Sequence, residues 1–492
     1  MGLISPAIVD SRPIEPNPEG VVQAFARSGY RLEEALADIV DNSVDAEAQS
    51  VLIRFYRTAH SINRIAIVDD GVGISPNQID ASMQFGARIQ HKKTHLGKYG
   101  IGLKSASFSQ CRSLFVISRS AGKTAGRRWT IDSIRSGWFC DHLDTKACSR
   151  ILDENWGQFA IGKHGTVILW DDIDRIKTDQ GGTDAALNKI FKTVPLHLGM
   201  VFHRFISRSD LRIWLDTYDL DSSELGPSQQ VDPLDPFAYR RTGRPTYPRT
   251  LTVNVMDTKI DLECHIWPPN AVEPQYKLGG RTSQRQGFYF YRNDRLIQPG
   301  GWNGWRDDEA EPHLSLARVL VDLPTSLDAT FGLNIQKSSV DLGPGFKRLL
   351  ESAKDGTWNL KHYVRDAIAT YRNAKSTEKL GPLVPGSGLP AVIRRLLVAD
   401  LQRGAAAPRR VAIKWKALPI DEVFRIDRSQ LALVFNRRHK RAMVANGDGD
   451  VVKLLMFLLL REEFDRERVR ATRSEWLTLL NQMLLTTIAN PA

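Results

Sequence analysis

"ALADIVDNSVDA", residues 35 to 46, crowds acids and an amide among apolar residues. Its spacing predicts a helix. Asp38, Asn42 and Asp45 fall three or four apart and share one face, while Ile39, Val40 and Val44 take the other. Asp41 adds a third acid. Asp and Asn compete for backbone hydrogen bonds and prefer caps and turns, so this crowding costs helix propensity. A helix that bears this cost on one face is expected to meet a polar partner there.

Three further segments carry chemistry. "DDGVGIS", residues 69 to 75, follows a predicted strand. A carboxylate at a strand end accepts a hydrogen bond from an exocyclic amine, and the glycines let backbone pass close to a flat ring. Taken alone, it is also an ordinary Asp-Gly turn. "GKYGIGLKS", residues 97 to 105, joins flexible glycines to a helix start, whose free N–H groups and positive dipole end suit phosphate. It is not a Walker A loop, because Leu103 separates Gly102 from Lys104, and its GxxGxG spacing misses the dinucleotide fingerprint. "HGTVILW", residues 164 to 170, sets a Thr hydroxyl at the start of a strand.

Around these motifs the chain is ordinary in composition. It has 492 residues, 42% hydrophobic and 25% charged, room for two to four domains. The longest apolar run, "VVKLLMFLLL" at 451 to 460, suits a buried helix and is too short for a membrane span. No signal peptide is read at the N-terminus, and Pro6 breaks the myristoylation pattern. Four cysteines without a CxxC pair argue against structural zinc and a disulfide framework. The expectation is a soluble, cytoplasmic protein with no membrane partner.

Net charge is +11, and residues 381 to 492 hold 19 Lys and Arg against 11 Asp and Glu. That surplus reads either as a solvated basic surface or as attraction to nucleic acid phosphates. "SVLIRFYR", "NRIAIVDD", "CRSLFVISRS", "GRRWTIDSI" and "GTVILW" read as strands of a first region. A second β-rich region includes "GFYFYRNDRLI", whose "RND" reads as a hairpin turn. Residues 218 to 249 read as a long surface excursion, "KLGPLVPGSGLP" at 379 to 390 as a linker, and the last hundred residues as mostly helical.

Taken together, in this order and spacing, the four motifs resemble the GHKL ATPase superfamily, which includes gyrase B, the ninety-kilodalton heat-shock chaperone, histidine kinases, MutL and MORC proteins. The resemblance implies a fold of class α+β: an N-terminal Bergerat α/β sandwich ATPase, a transducer domain of the ribosomal-protein-like β-α-β type, and a mostly helical C-terminal region. The expected boundaries are 1–185, 186–350 and 351–492. ATP and Mg²⁺ are the implied cofactors. Asn42 would bind Mg²⁺, a neutral oxygen donor for a hard cation. Asp69 would hold the adenine amine, with Gly71 and Gly73 beside the ring and Thr166 in support. Asp45 and Ala46 are counted with the residues that would bind the nucleotide. Gly97, Gly100, Ile101, Gly102 and Leu103 would shape a lid over the phosphates, with Lys104 and Ser105 at its helix start.

"VDPLDPF", "GFYFYRNDRLI" and "LARVLVDLPTSLDATFGLNIQKS" resemble a MORC-type transducer, in which Lys337 matches a lysine that reaches the γ-phosphate. The general base of relatives is a Glu four residues before the Asn, and here that position is Asp38. Asp is shorter by one methylene and must still come within hydrogen-bond reach of the attacking water. Slow hydrolysis, and ATP as a switch with little hydrolysis, both stay open. No cleavage-tyrosine module, MutL metal motif or clustered-Cys zinc finger is visible. The implied partners are a second copy on ATP binding, double-stranded DNA held in an ATP-gated clamp, and a partner enzyme of a restriction, phage-defence or DNA-processing complex. The alternatives are a chaperone-like ATPase acting on protein clients and a non-hydrolysing, ATP-sensing assembly subunit.

Overall fold

The computed structural model describes residues 10, 16–26, 29–86, 102–176, 182–255, 258–306, 310–324, 334–336, 339–341, 344–379, 382–401, 407–444, 449–465 and 471–489. Strand β1 (Ser50–Arg57) shows how the first sheet is built. Val51, Ile53 and Phe55 enter one apolar core and Leu52 enters another, because successive side chains point to opposite faces. β2 (Ile62–Asp69) repeats the pattern, sending Ile65 and Ile67 one way and Ala66 and Val68 the other. So does β6 (Gly165–Ile173), with Ile168 and Trp170 opposed to Val167 and Leu169. Strands buried on both faces carry near-continuous apolar runs.

The remaining strands are β3 (Cys111–Ser120), β4 (Lys123–Thr130), β5 (Asp141–His142), β7 (Arg212–Asp219), β8 (Glu224–Leu225) and β9 (Gln229–Gln230). The order is β5-β4-β3-β6-β2-β1-β7-β8, and β9 also pairs with β7. Among these described pairings, the one between β1 and β7 is parallel. There Arg54 faces Asp216 in register, and the buried pair forms two hydrogen bonds of 2.8 Å. Such fork-to-fork geometry is the strong form of an ion pair.

Helices α1 (Pro18–Ala26), α2 (Leu32–Asp45), α3 (Ile79–Met83), α4 (Gly102–Phe108), α5 (Ile131–Arg135), α6 (Thr145–Leu152) and α7 (Gly182–Val201) accompany the sheet. Leu36, Ile39 and Val40 of α2, Phe108 of α4, and Leu187, Val194 and Leu198 of α7 fill the core on one face. Cys148 and Leu152 of α6, with Trp156, cover the other. The segment read as the strand "GRRWTIDSI" in fact ends at Thr130. There the Thr130 hydroxyl accepts from the Ser133 N–H at 2.9 Å and starts α5, a hydroxyl cap that satisfies an orphan donor.

A second sheet holds β10 (Arg249–Val255), β11 (Thr258–Ile266), β12 (Gly287–Arg292), β13 (Arg295–Pro299), β14 (Ala317–Asp322), β17 (Lys354–Asp355) and β18 (Trp358–Asn359), in the order β13-β12-β14-β11-β10-β17-β18. β15 (Asn334–Gln336) and β16 (Ser339–Asp341) pair separately. The β12–β13 turn has φ of 45° at Asn293 and 64° at Asp294. Two left-handed residues in a row match the twist of a hairpin, and Asn and Asp tolerate that conformation best among side-chain-bearing residues. α7 joins the two sheets: Leu198 belongs to the first core, and Met200 packs with Tyr289, Tyr291 and Leu296 of the second. The 218–249 excursion is pinned more firmly than its composition predicts, since Val231, Leu234 and Tyr247 are buried.

Residues 1–368 form one compact unit and residues 369–492 another. The second unit is mostly helical by length, with helices Ala391–Leu401, Gly449–Leu460 and Ala471–Ala489. It also contains a sheet, β19 (Leu383–Ser387), β20 (Arg409–Lys416), β21 (Phe424–Asp427) and β22 (Ala432–Asn436), in the order β19-β20-β22-β21. β19 lies inside the segment read as a linker. Its Val384 and Pro385 pair in parallel with Arg410 and Val411, which Pro tolerates at the sheet edge. The whole is the expected mixed class: an N-terminal α/β domain, a second sheet, and a mostly helical C-terminal region. Among the described residues no helix is long and apolar enough to cross a membrane, and all four cysteines are free.

Candidate functional site

The alternation along β2 settles where Asp69 points. Ile65 and Ile67 face the α2 side, so Asp69, two residues on, faces it too. Its register partner on β6 is Thr166, whose own partner on β3 is Ser118. By the same parity all three polar side chains form one row beneath α2, and all three are buried.

Asp69 is held by neutral donors. The Ser43 hydroxyl of α2 donates to its Oδ2 at 3.0 Å, and the Gly71 N–H donates to its Oδ1 at 3.0 Å. Burial pushes its carboxyl up to about 6, and the hydrogen bonds offset only part of the desolvation. Ser118 Oγ and Thr166 Oγ1 lie 2.9 Å apart, and Ser118 accepts from the Ile74 N–H at 2.7 Å. The turn after Asp69 is therefore tied to the sheet on both sides.

Two glycines shape that turn. A Cβ on Gly71 would stand 2.7 Å from the Ala46 carbonyl oxygen, which already accepts from the Val72 N–H at 2.9 Å. Gly73 has φ of +70°, and a Cβ there would stand 2.0 Å from the Arg119 carbonyl oxygen. Neither position admits a side chain without moving backbone.

On α2, Asn42 is half-buried, and its Nδ2 donates to the Asp38 carbonyl at 3.0 Å. That leaves Oδ1 as the atom suited to a metal, a neutral hard oxygen of the kind Mg²⁺ accepts. The donor chemistry fits the implied ion. Among the described residues, no group of three or more His, Cys, Asp or Glu is placed to hold a metal by side chains alone. Asp45 ends the helix half-buried, and the Ala46 N–H caps it by donating to the Asn42 carbonyl at 3.0 Å.

Asp38 and Asp41 are both 1% exposed. The sequence reading set Asp38 on a face toward the nucleotide and gave Asp41 no role. Both meet Arg295 of β13, itself 3% exposed. Its Nε donates to Asp41 Oδ1 at 2.6 Å, and its guanidinium lies 3.6 Å from Asp38 Oδ1. The Tyr30 hydroxyl donates to Asp38 Oδ2 at 3.1 Å. Burial and the Asp38 carboxylate push the Tyr30 phenol up. Burial works against charge on Arg295, yet Asp41 and Asp38 hold its guanidinium above the usual arginine value.

Gly102 opens α4, Leu103 packs on the core, and the Ser105 hydroxyl donates to the Gly102 carbonyl at 3.2 Å. Lys104 is buried and its Nζ donates to the Ser82 carbonyl. Burial lowers its ammonium to about 8. Gly97, Gly100, Ile101 and Lys337 lie outside the described residues.

The structure thus brings together Asn42, Asp45, Ala46, Asp69, Gly71, Gly73 and Thr166 around one end of α2 and its facing turn. Sequence reasoning missed Ser43, Ser118, Tyr30, Asp41 and Arg295. Ser43 was findable, since it lies four residues after Ile39 and so on the same, sheet-facing side of the helix. Arg295 was not, being 254 residues from Asp41.

The family model described as histidine kinase-, DNA gyrase B-, and HSP90-like ATPase matches residues 30–165. The chain is 32% identical over 90 residues to "ATPase morc-1" of Caenorhabditis elegans, covering 18% of this chain and 10% of that protein. It is 36% identical over 77 residues to "ATPase MORC2B" of Mus musculus, covering 15% of this chain and 8% of that protein. The chain therefore spans about a tenth of the length of these relatives. The N-terminal domain of a DNA repair protein aligns over 73% of this chain and 98% of its own at 16% identity, with a TM-score of 0.40, too distant to carry weight. Residues 30–165 thus match the histidine kinase-, DNA gyrase B- and HSP90-like ATPase family, and the chain is similar to MORC ATPases over part of its length.

Proposed function

We propose that this protein binds ATP with Mg²⁺, hydrolyses it slowly, dimerises on ATP binding and closes as a clamp on double-stranded DNA, within a restriction, phage-defence or DNA-processing complex. The observation that carries the nucleotide reading is the Asp69 corner. A buried carboxylate held by neutral donors, flanked by two glycines that exclude any Cβ, is suited to accept from the amine of a flat base. Thr166 and Ser118 extend that polar row on the adenine side.

Asn42 is the residue to hold Mg²⁺. When bound, the ion neutralises phosphate charge and orients the phosphates. Asp38 is the base: it takes a proton from the attacking water as the water oxygen bonds to the γ-phosphorus. The bond from that phosphorus to its bridging oxygen breaks, and ADP and phosphate leave. Lys337 adds a cation to the transferring group. The lid is assigned to residues 97–105, with Gly97, Gly100, Ile101, Gly102, Leu103, Lys104 and Ser105. The division into 1–185, 186–350 and 351–492 goes with this reading.

The DNA reading is supported by the basic surplus of residues 381 to 492 and by Arg437, Arg438, Lys440 and Arg441, all exposed around one turn after β22. One observation favours a second reading, ATP as a switch without turnover: Tyr30 and Arg295 both engage the Asp38 carboxylate. The test is ATP turnover with and without long double-stranded DNA, for wild type, Asp38→Ala and Asn42→Ala. Turnover that rises with DNA and vanishes in both variants supports the clamp. ATP binding without turnover, indifferent to DNA, overturns it in favour of the switch.

A further inference from the structure

Arg295 does something that neither the family match nor the motifs account for. It stands at the first position of β13, immediately after the left-handed pair Asn293 and Asp294, so its direction is fixed by a tight turn. Its side chain crosses to α2 and lies 5.9 Å from the Phe202 ring centre. There it meets two carboxylates one helical turn apart, Asp41 at 2.6 Å and Asp38 at 3.6 Å. The unequal distances assign unequal roles. Asp41 is the anchor, through a short charge-assisted hydrogen bond. Asp38 is the looser partner, its second oxygen taken by Tyr30. Asp38 also lines a cavity of about 220 Å³ with Tyr30, Arg295, Arg285 and His197, roomy and polar enough for water to reach the carboxylate.

We propose that Arg295 is a positioning residue for ATP turnover: anchored on Asp41, it sets the orientation of the Asp38 carboxylate and makes hydrolysis depend on the placement of the β12–β13 hairpin. This rests on the reading of Asp38 as the base. A short Asp in place of a longer Glu leaves less tolerance in where the carboxylate sits, so a fixed guanidinium beside it has a direct effect on reach to the water. Arg is suited to that task and Lys less so, because only the planar fork serves two carboxylates in a set geometry.

The test compares kcat with ATP affinity for wild type, Arg295→Met, Arg295→Lys, Asp41→Asn and Asp38→Asn, with the unfolding midpoint of each. Arg295→Met should lower kcat about tenfold or more while ATP affinity stays within about threefold, since a base acts on the chemical step rather than on binding. Arg295→Lys should restore part of the loss. Asp41→Asn keeps the guanidinium and loosens its anchor. It should lower kcat severalfold in a stably folded protein, which keeps the inference testable if Arg295→Met does not fold. Wild-type kcat in folded Arg295→Met or Asp41→Asn, with Asp38→Asn inactive, overturns the role of Arg295 alone. Parallel loss of kcat, affinity and midpoint without rescue by Lys also overturns it, as a purely structural role. Wild-type turnover by Asp38→Asn, or none by the wild type, overturns the base reading and this inference with it.

Discussion

Helix α2 separates two carboxylate environments built on opposite rules. On the sheet side, Asp69 is held by a hydroxyl and a backbone N–H, and burial pushes it up to about 6. On the hairpin side, Asp38 and Asp41 share the buried guanidinium of Arg295. Neutral donors hold the Asp69 carboxylate without a countercharge. A buried ion pair fixes both charges, because either one left alone is heavily penalised. The same residue type thus serves recognition on one flank of the helix and fixed geometry on the other.

The contrast breaks most visibly at Arg295. Arg295→Ala strands two buried carboxylates, and chemical denaturation should show a loss of about 3–5 kcal/mol. Next comes the turn after Asp69. Gly73→Ala should cost about 3 kcal/mol in the same assay, from left-handed strain plus a forced backbone shift. Gly122→Ala has a similar φ of +77° with nothing within 4 Å, and should cost only about 1 kcal/mol. Equal losses at the two glycines would mean that φ alone, and not the Arg119 carbonyl, sets the effect.

Asp69→Asn sharpens the comparison through pH. The native carboxyl titrates near 6 and the reference value is 3.8, so the folded state binds more protons between them. Stability contributed by that proton is complete below about 4 and is lost as pH rises to about 6. Asp69→Asn, lacking this titration, should therefore gain on wild type across that window and then hold its advantage. Urea melts at several pH values check this, and an advantage that grows toward low pH instead would contradict the buried reading with neutral donors. The smallest effect is expected at Ser43→Ala, which removes the side-chain donor to Asp69 and should cost about 1 kcal/mol.

Much of the sheet side was legible because it is local. The 3-and-4 spacing of Asp38, Asn42 and Asp45 identified α2, and "DDGVGIS" marked a strand end with two obligatory glycines. The row of Asp69, Thr166 and Ser118 needs the register of three strands, which side-chain alternation alone does not supply. The hairpin turn was legible from "RND", but the target of Arg295 was not, since nothing local pairs it with Asp41. The sheet in the second unit was missed because "RRVAIKWK" alternates charged with apolar residues on a short strand, and because Pro385 and its neighbouring glycines made β19 look like a linker.

Calorimetric titration of ATP with Mg²⁺ into wild type and Asp69→Asn asks whether the Asp69 corner holds the nucleotide base. Saturable one-site binding by wild type is expected, with at least about a hundredfold weaker binding by a folded Asp69→Asn, because the amide sets an NH2 donor where a carboxylate oxygen accepted and leaves a single acceptor oxygen for Ser43, Gly71 and the base amine. No binding by wild type, or equal binding by the two, would contradict it.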